Sequence, residues 1–131
     1  MTTAAGGEGS GEDRVAFGRR AEAAAAAAAE ARGYRVVGRN WRCRAGELDL
    51  VVKDGDTWVA VEVRARRTRA AGTPAESVTP AKRGRLVRAA RWFAAAHGCL
   101  DAPWRFDVCA VTVERGRLAV EWIEDAFAAG D

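Results

Sequence analysis

The alternation of apolar and polar residues predicts that the chain is built around a β-hairpin. Residues 46–52 and 58–64 both alternate in the way that a strand with one buried face does. A two-residue turn at Gly55-Asp56 is expected between them, and this turn sets the register. In that register Asp49 lies opposite Glu62. One face of the hairpin is therefore predicted to be core, and the other to carry charged side chains.

Capping residues and apolar spacing predict two helices. The first follows Asp13, a good N-cap, and runs through an alanine-rich stretch to Arg32, where Gly33 ends it. The second starts at Thr79-Pro80, an N-cap followed by proline, and runs to about His97. Both helices should lie against a sheet.

Further strands complete the predicted order. One strand, 34–41, precedes the hairpin, and two others, 104–113 and 118–122, follow the second helix. Residues 124–127 are expected to end the fold as a short helical turn. The order of helix, three strands, helix and two strands indicates an α/β (α+β-like) fold with a central mixed sheet flanked by helices.

Length and composition favour a soluble globular protein. The chain has 131 residues, of which 49% are hydrophobic and 30% charged, enough for one core. Residues 1–13 lack apolar periodicity and are predicted to be a disordered tail, with residues 14–131 as one domain. No signal-like or bilayer-length apolar segment is present, so we expect a cytoplasmic location and no membrane partner. Three widely spaced cysteines without a C-x-x-C motif favour reduced thiols.

The charged face of the hairpin is the candidate functional site. It carries Glu47 and Asp49 on one strand, and Glu62 and Arg64 on the other. Opposed like charges destabilise a sheet, whereas carboxylate oxygens bind divalent cations such as Mg²⁺. On the residues alone, two interpretations stay open: a solvated face with Arg64 bridging Glu47, and a metal site. Glu22 in the first helix is either solvated or directed to this part of the sheet.

Basic residues adjoin the charged face. The net charge of +3 rises to +6 without the three acidic residues of the tail, which is compatible with a polyanionic partner. Runs of basic residues often form solvated surfaces, but beside carboxylates they are candidates for contacts with phosphates. The candidate nucleic-acid-binding residues are Arg42, Arg44, Arg66, Arg67, Lys82 and Arg85.

Several motifs occur together in this order: Glu22, Gly33-Tyr34, Asn40-Trp41, Gly46-Glu47-Leu48-Asp49-Leu50, Val61-Glu62-Val63-Arg64-x-Arg66, Gly72, Lys82, Arg105-Phe106-Asp107-Val108 and Ala126-Phe127. As a set they resemble the YraN family of small bacterial proteins over roughly residues 14–127. That family is similar to archaeal Holliday-junction resolvases and to the restriction-endonuclease-like superfamily with the D…(D/E)-x-K signature. The resemblance implies a restriction-endonuclease-like α-β-β-β-α-β-β fold.

The resemblance also implies the parts of an active centre. Asp49, Glu62 and the carbonyl of Val63 would bind Mg²⁺ or Mn²⁺, and Glu22 would match the acidic residue on the first helix of the resolvases. The catalytic residues would be Glu22, Asp49, Glu62 and Arg64. Of these, Arg64 stands where the signature has lysine. Arg64 is the departure from the pattern, because a planar guanidinium of high pKa cannot act as a base. Arg66 and Lys82 are the candidates to compensate for it.

Three functions remain open from the sequence. The first is a metal-dependent endonuclease acting on nucleic acid, branched DNA among the candidate substrates. The second is a catalytically weak or inactive nucleic-acid-binding module on the same scaffold. The third is a protein-interaction domain. The expected partner is nucleic acid, DNA rather than RNA, and a two-fold symmetric substrate would call for a homodimer.

Overall fold

The computed structural model describes residues 13–67 and 73–130. Apart from Asp13, the predicted tail lies outside the described residues, and so does Gly72 of the motif set. The elements in chain order are α1 (Arg14–Ala31), β1 (Arg35–Cys43), β2 (Gly46–Asp54), β3 (Thr57–Arg66), a 3₁₀ turn (Ala75–Ser77), α2 (Pro80–Ala96), β4 (Trp104–Glu114) and β5 (Arg117–Phe127).

Both helices begin and end where their capping residues predict. The Asp13 side chain accepts a hydrogen bond of 2.8 Å from the Ala16 N–H, and Gly33 follows α1 with a φ of 86°. The Thr79 hydroxyl accepts a 3.2 Å hydrogen bond from the Lys82 N–H, and Pro80 is the first residue of α2. None of the helices in the described part of the chain is both long and apolar enough to cross a membrane.

The five strands form one mixed sheet in the order β1-β2-β3-β4-β5. Neighbours are antiparallel except β3 and β4, which run parallel with α2 in the connection between them. The predicted hairpin register is confirmed along the β2–β3 ladder, where Lys53 pairs with Trp58. The sheet and its two helices are the α+β arrangement of a restriction-endonuclease-like fold, as the sequence predicted.

The helices cover opposite faces of the sheet, so the prediction of a hairpin with a single core face is wrong. Val59 and Val61 lie in the core cluster under α1, whereas Ala60 between them lies in the cluster under α2. Leu48 and Leu50 were expected to share a face, but Leu48 packs under α2 and Leu50 under α1. The alternation of side chains between the two faces of the sheet is therefore interrupted in β2, beside Asp49.

The predicted terminal helical turn is also wrong, because β5 continues to Phe127. Instead of a helical turn, the strand has a register shift opposite Phe106–Val108, where Asp125 has a φ of 54°. The Asp125 N–H donates to the Asp107 carboxylate at 2.9 Å, and the Phe127 ring stacks on Phe106 with 5.2 Å between centroids. A side-chain acceptor and an aromatic contact thus hold this segment in the sheet.

A buried polar network joins the strands on the α1 side. Asp107 is fully buried and accepts two hydrogen bonds from Arg105 and one of 2.8 Å from the Trp122 indole. Arg105 also donates to Asp54 at 2.8 Å and to the Tyr34 hydroxyl at 3.3 Å. Because every carboxylate oxygen of Asp107 is paired, the network ties the start of β4 to β2 and β5.

Candidate metal and nucleic-acid site

The candidate site lies where β2 separates from β3. The last Cα partners of their ladder are Leu50 and Val61. Beyond them the side chain of Asp49 enters the space between the strands, and its Oδ2 accepts a 3.0 Å hydrogen bond from the Val63 N–H. A side chain therefore replaces a strand carbonyl as the acceptor, which holds the Asp49 carboxylate beside Glu62.

Asp49 and Glu62 form a buried acidic pair. Glu62 is only 4% exposed, and the two side chains are within hydrogen-bonding reach of each other. Burial, followed by the negative charge of Glu62, raises the pKa of Asp49 from its ordinary value of 3.8 to about 7, and Glu22 adds a smaller effect in the same direction. The Val63 N–H opposes this rise. In the metal-free protein Asp49 therefore exchanges its proton close to neutral pH.

Lys82 brings a compact positive charge to this pair. It lies in the first turn of α2, and its Nζ is 2.9 Å from Glu62 Oε2. Arg64 Nη1 is 3.7 Å from the same oxygen. Of the two cations, the Lys82 ammonium is the closer to Glu62, as expected if Lys82 compensates for Arg64, and its predicted contact with phosphate stays a prediction. The interpretation in which Arg64 bridges Glu47 is wrong, since Glu47 pairs with Arg42 at 3.6 Å.

Glu22 reaches the site from α1 through Asn40. The Asn40 side-chain amide lies between two carboxylates, and in the orientation that satisfies them it donates to Glu22 at 3.2 Å and to Glu47 at 3.3 Å. Asn40 has a φ of 51°, a left-handed conformation within a strand. The motif Asn40-Trp41 predicts no role for the Asn40 side chain. Its sequence signal is the residue type, because Asn accepts this conformation more readily than most residues.

Two arginines follow Glu62 along β3 and carry donors without a partner. Glu62, Arg64 and Arg66 alternate along one face of the strand. The Nε atoms of Arg64 and Arg66 are buried and have no hydrogen-bond partner among the described residues. Buried donors normally have partners, so an anionic ligand that reached these two would satisfy them.

The other predicted nucleic-acid contacts are spread more widely. Arg42, Arg44 and Arg85 are exposed around the site. Arg67 instead lies over the Phe17 ring of α1, with its guanidinium carbon 4.4 Å from the ring centroid. The structure thus gathers Glu22, Asp49, Glu62, Arg64 and Lys82 into one centre and leaves Arg67 at its side.

The donor chemistry of the acidic pair fits a hard divalent cation. Mg²⁺ is commonly held by one or two carboxylates and keeps several waters, and a cation would remove the repulsion between Asp49 and Glu62. Across residues 13–67 and 73–130, no three His, Cys, Asp or Glu side chains form a ready metal-binding group. The donor set is therefore the two carboxylates, and the predicted role of the Val63 carbonyl stays a prediction.

Sequence comparisons identify proteins that are similar to this chain. The model of a family described as "Uncharacterised protein family UPF0102" matches residues 21–111, which include the acidic pair and Lys82. A UPF0102 protein from Anaeromyxobacter dehalogenans is 49% identical over 127 residues, covering 97% of this chain and 93% of its own. One from Ectopseudomonas mendocina is 49% identical over 112 residues, covering 85% and 93%. One from Geobacter sulfurreducens is 46% identical over 122 residues, covering 92% and 94%.

Proposed function

We propose that this chain is a metal-dependent endonuclease-like protein that hydrolyses phosphodiester bonds in nucleic acid. The chain belongs to the uncharacterised protein family UPF0102, which is the YraN family that its motifs indicated. The observation that carries the proposal is the buried Asp49–Glu62 pair, with the Lys82 ammonium 2.9 Å and the Arg64 guanidinium 3.7 Å from Glu62. Like charges at such a place weaken the fold unless they serve a ligand.

The side chains divide the chemistry among them. Asp49 and Glu62 would hold Mg²⁺ or Mn²⁺, which when bound supplies a Lewis acid and lowers the pKa of a coordinated water. Lys82 puts an ammonium beside Glu62, a role that the D…(D/E)-x-K signature gives to the residue at the position of Arg64. Arg64 and Arg66 would donate their free Nε–H groups to phosphate oxygens.

Glu22 would act on the centre through space. Its charge already contributes to the raised pKa of Asp49, and Asn40 links it to Glu47. We therefore assign Glu22 to the catalytic set with Asp49, Glu62 and Arg64, and place Lys82 in the same set.

Calorimetric titration with Mn²⁺ and Mg²⁺ tests the proposal directly. We expect binding by the wild type and none by Asp49→Asn/Glu62→Gln. The matched control is Asp101→Asn/Glu121→Gln, which removes two exposed carboxylates outside the site. If neither metal binds, with or without DNA present, the acidic pair is not a nuclease centre. If binding is confirmed, a panel of labelled linear and branched DNA and RNA substrates tests for cleavage.

A second candidate function is a nucleic-acid-binding module with weak or no catalysis. It is favoured by Arg64 at the signature lysine, since a guanidinium is a poor substitute for an ammonium that positions water. It predicts salt-sensitive binding without turnover, and gain of cleavage in Arg64→Lys if that position limits the reaction. A protein-interaction domain would instead keep its partner binding unchanged in Asp49→Asn/Glu62→Gln.

The proposal includes a setting for the activity. We propose a cytoplasmic location and nucleic acid as the main partner. The arginines near the centre suit the phosphates of DNA and RNA alike, and DNA is proposed over RNA because of the resemblance to Holliday-junction resolvases. A homodimer is proposed only for a substrate with two-fold symmetry. Sedimentation with and without a branched DNA would show whether the partner drives dimer formation.

A further inference from the structure

A polar groove leads away from the acidic centre along the first helix. It has a volume of about 390 Å³, and α1 lines one side while β1 and β2 line the other. The residues that matter for its chemistry are Arg14, Gly18, Arg19, Glu22, Arg42 and Glu47. Its inner end is therefore Glu22, which belongs to the proposed catalytic set.

The charges of the groove differ between its two ends. At the inner end the carboxylates are engaged, since Glu47 pairs with Arg42 and Asn40, and Asn40 also bonds Glu22. Arg14 at the outer end and Arg19, one residue beyond Gly18, are exposed, and no acidic side chain in the described part of the chain forms an ion pair with either. This end also coincides with the first turns of α1, where the helix dipole favours an anion.

Gly18 forms the part of the groove between the two ends. A glycine inside a helix is about 1 kcal/mol less favourable than alanine. Here a side chain would meet no atom within 4 Å, so packing inside the protein does not require glycine. The consequence of Gly18 is instead an open surface on the helix that a ligand backbone can approach closely.

We propose that this groove binds the sugar-phosphate backbone of one nucleic-acid strand next to the acidic centre. Arg14, Gly18 and Glu22 are four residues apart, so they form a line on α1 with a step of about 6 Å. Arg14 and Arg19 contact phosphates, Gly18 lets the strand lie against the helix, and Glu22 marks the entry to the centre. The inference rests on the proposed function, to which it adds the path of the substrate.

Fluorescence anisotropy with labelled single-stranded DNA and RNA oligonucleotides, and with a DNA duplex, tests this path in the full chain. All titrations contain EDTA, so that binding is measured without metal or cleavage. The variant Arg14→Gln/Arg19→Gln removes the two phosphate contacts. The matched control is Arg88→Gln/Arg91→Gln, which removes two exposed charges from α2 on the opposite face.

We expect Arg14→Gln/Arg19→Gln to bind single strands at least about fivefold more weakly at low salt, and to lower the slope of log K against log salt by about 1.4. The control should keep the wild-type slope. Gly18→Leu should weaken binding without any change of charge, and without lower thermal stability, because leucine is a better helix former.

The outcomes separate the groove from the proposed function. Equal losses for DNA and RNA single strands support recognition of the backbone. A loss confined to the duplex, or wild-type binding by both Arg14→Gln/Arg19→Gln and Gly18→Leu, overturns the groove and leaves the proposed function standing. If the wild type binds no nucleic acid at low salt, the groove fails, whereas the proposed function is decided separately by metal binding and by cleavage in Mn²⁺ or Mg²⁺.

Discussion

Replacing Asp49 by asparagine removes a charge from the acidic centre with almost no change of shape. The folded protein raises the pKa of this carboxyl from 3.8 to about 7, first through burial and then through Glu62. An acid whose pKa is higher in the folded than in the unfolded state binds a proton that the unfolded chain releases. Stability therefore falls as pH rises through the window from about 4 to about 7. Asparagine does not titrate, and its Oδ1 can still accept from the Val63 N–H.

The size of the effect follows from the two pKa values. The rise from 3.8 to about 7 corresponds to about 4 kcal/mol of destabilisation above pH 7, which is an upper value. Asp49 is partly accessible to solvent, so screening lowers this value. We expect Asp49→Asn to be about 2 kcal/mol more stable than the wild type near pH 8, and to equal it near pH 4.

Urea denaturation followed by tryptophan fluorescence measures this difference in EDTA at several pH values. Saturating Mn²⁺ should then make the wild type more stable than Asp49→Asn. A ligand at 100 times its Kd stabilises the wild type by about 2.7 kcal/mol and leaves the stability of Asp49→Asn unchanged. Asp101→Asn, an exposed control, should follow the wild type throughout. An Asp49→Asn protein that is less stable than the wild type near pH 8 without metal would refute the electrostatic reasoning.

Three further predictions concern other buried groups. Lys82→Gln should lower stability by about 1–2 kcal/mol near pH 7, because it leaves Glu62 buried without its nearest cation; urea denaturation measures the loss. Asp107→Asn should cost about 3 kcal/mol, since this fully buried carboxylate accepts four hydrogen bonds, and thermal unfolding would show it. Burial raises the pKa of the Cys109 thiol to about 12, so in the native protein a disulfide reagent should label the more accessible Cys43 and leave Cys109 unreacted until unfolding.

These three predictions share simple controls. Arg88→Gln removes an exposed charge from the same helix as Lys82 and should change stability by less than about 0.5 kcal/mol. Wild-type stability in Lys82→Gln would contradict the pairing with Glu62. Equal stabilities of Asp107→Asn and the exposed Asp101→Asn would contradict the network. Rapid labelling of Cys109 in the folded protein would contradict its burial.

Local signals in the sequence predicted the elements of the fold. The caps Asp13 and Thr79 and the turn at Gly55-Asp56 act within a few residues, so they predict both helices and the hairpin register correctly. The family motifs likewise identified Asp49 and Glu62, which the structure brings together. Features that depend on residues close in the sequence can therefore be predicted from the sequence.

The prediction failed where contacts between elements that are far apart in the sequence determine the structure. Period-two alternation cannot show that a helix will cover the second face of the hairpin, and so the burial of Glu62 was not foreseen. Lys82 lies twenty residues after Glu62, and only the packing of α2 brings it there. The same holds for Asp107, whose partners come from β4 and β5 and hold the segment that was predicted as a helical turn.

The single parallel seam of the sheet, between β3 and β4, has a consequence for how the site is assembled during folding. Residues 13–67 contain α1 and the first three strands, which pair with their neighbours along the chain, and they include Glu22 and both residues of the acidic pair. Lys82 comes only with α2, whose docking accompanies a non-local pairing that closes a long loop. During synthesis the acidic pair therefore emerges before its ammonium. Two fragments divided between residues 67 and 73 would each hold part of the centre, and only their reassociation along the parallel seam would complete it.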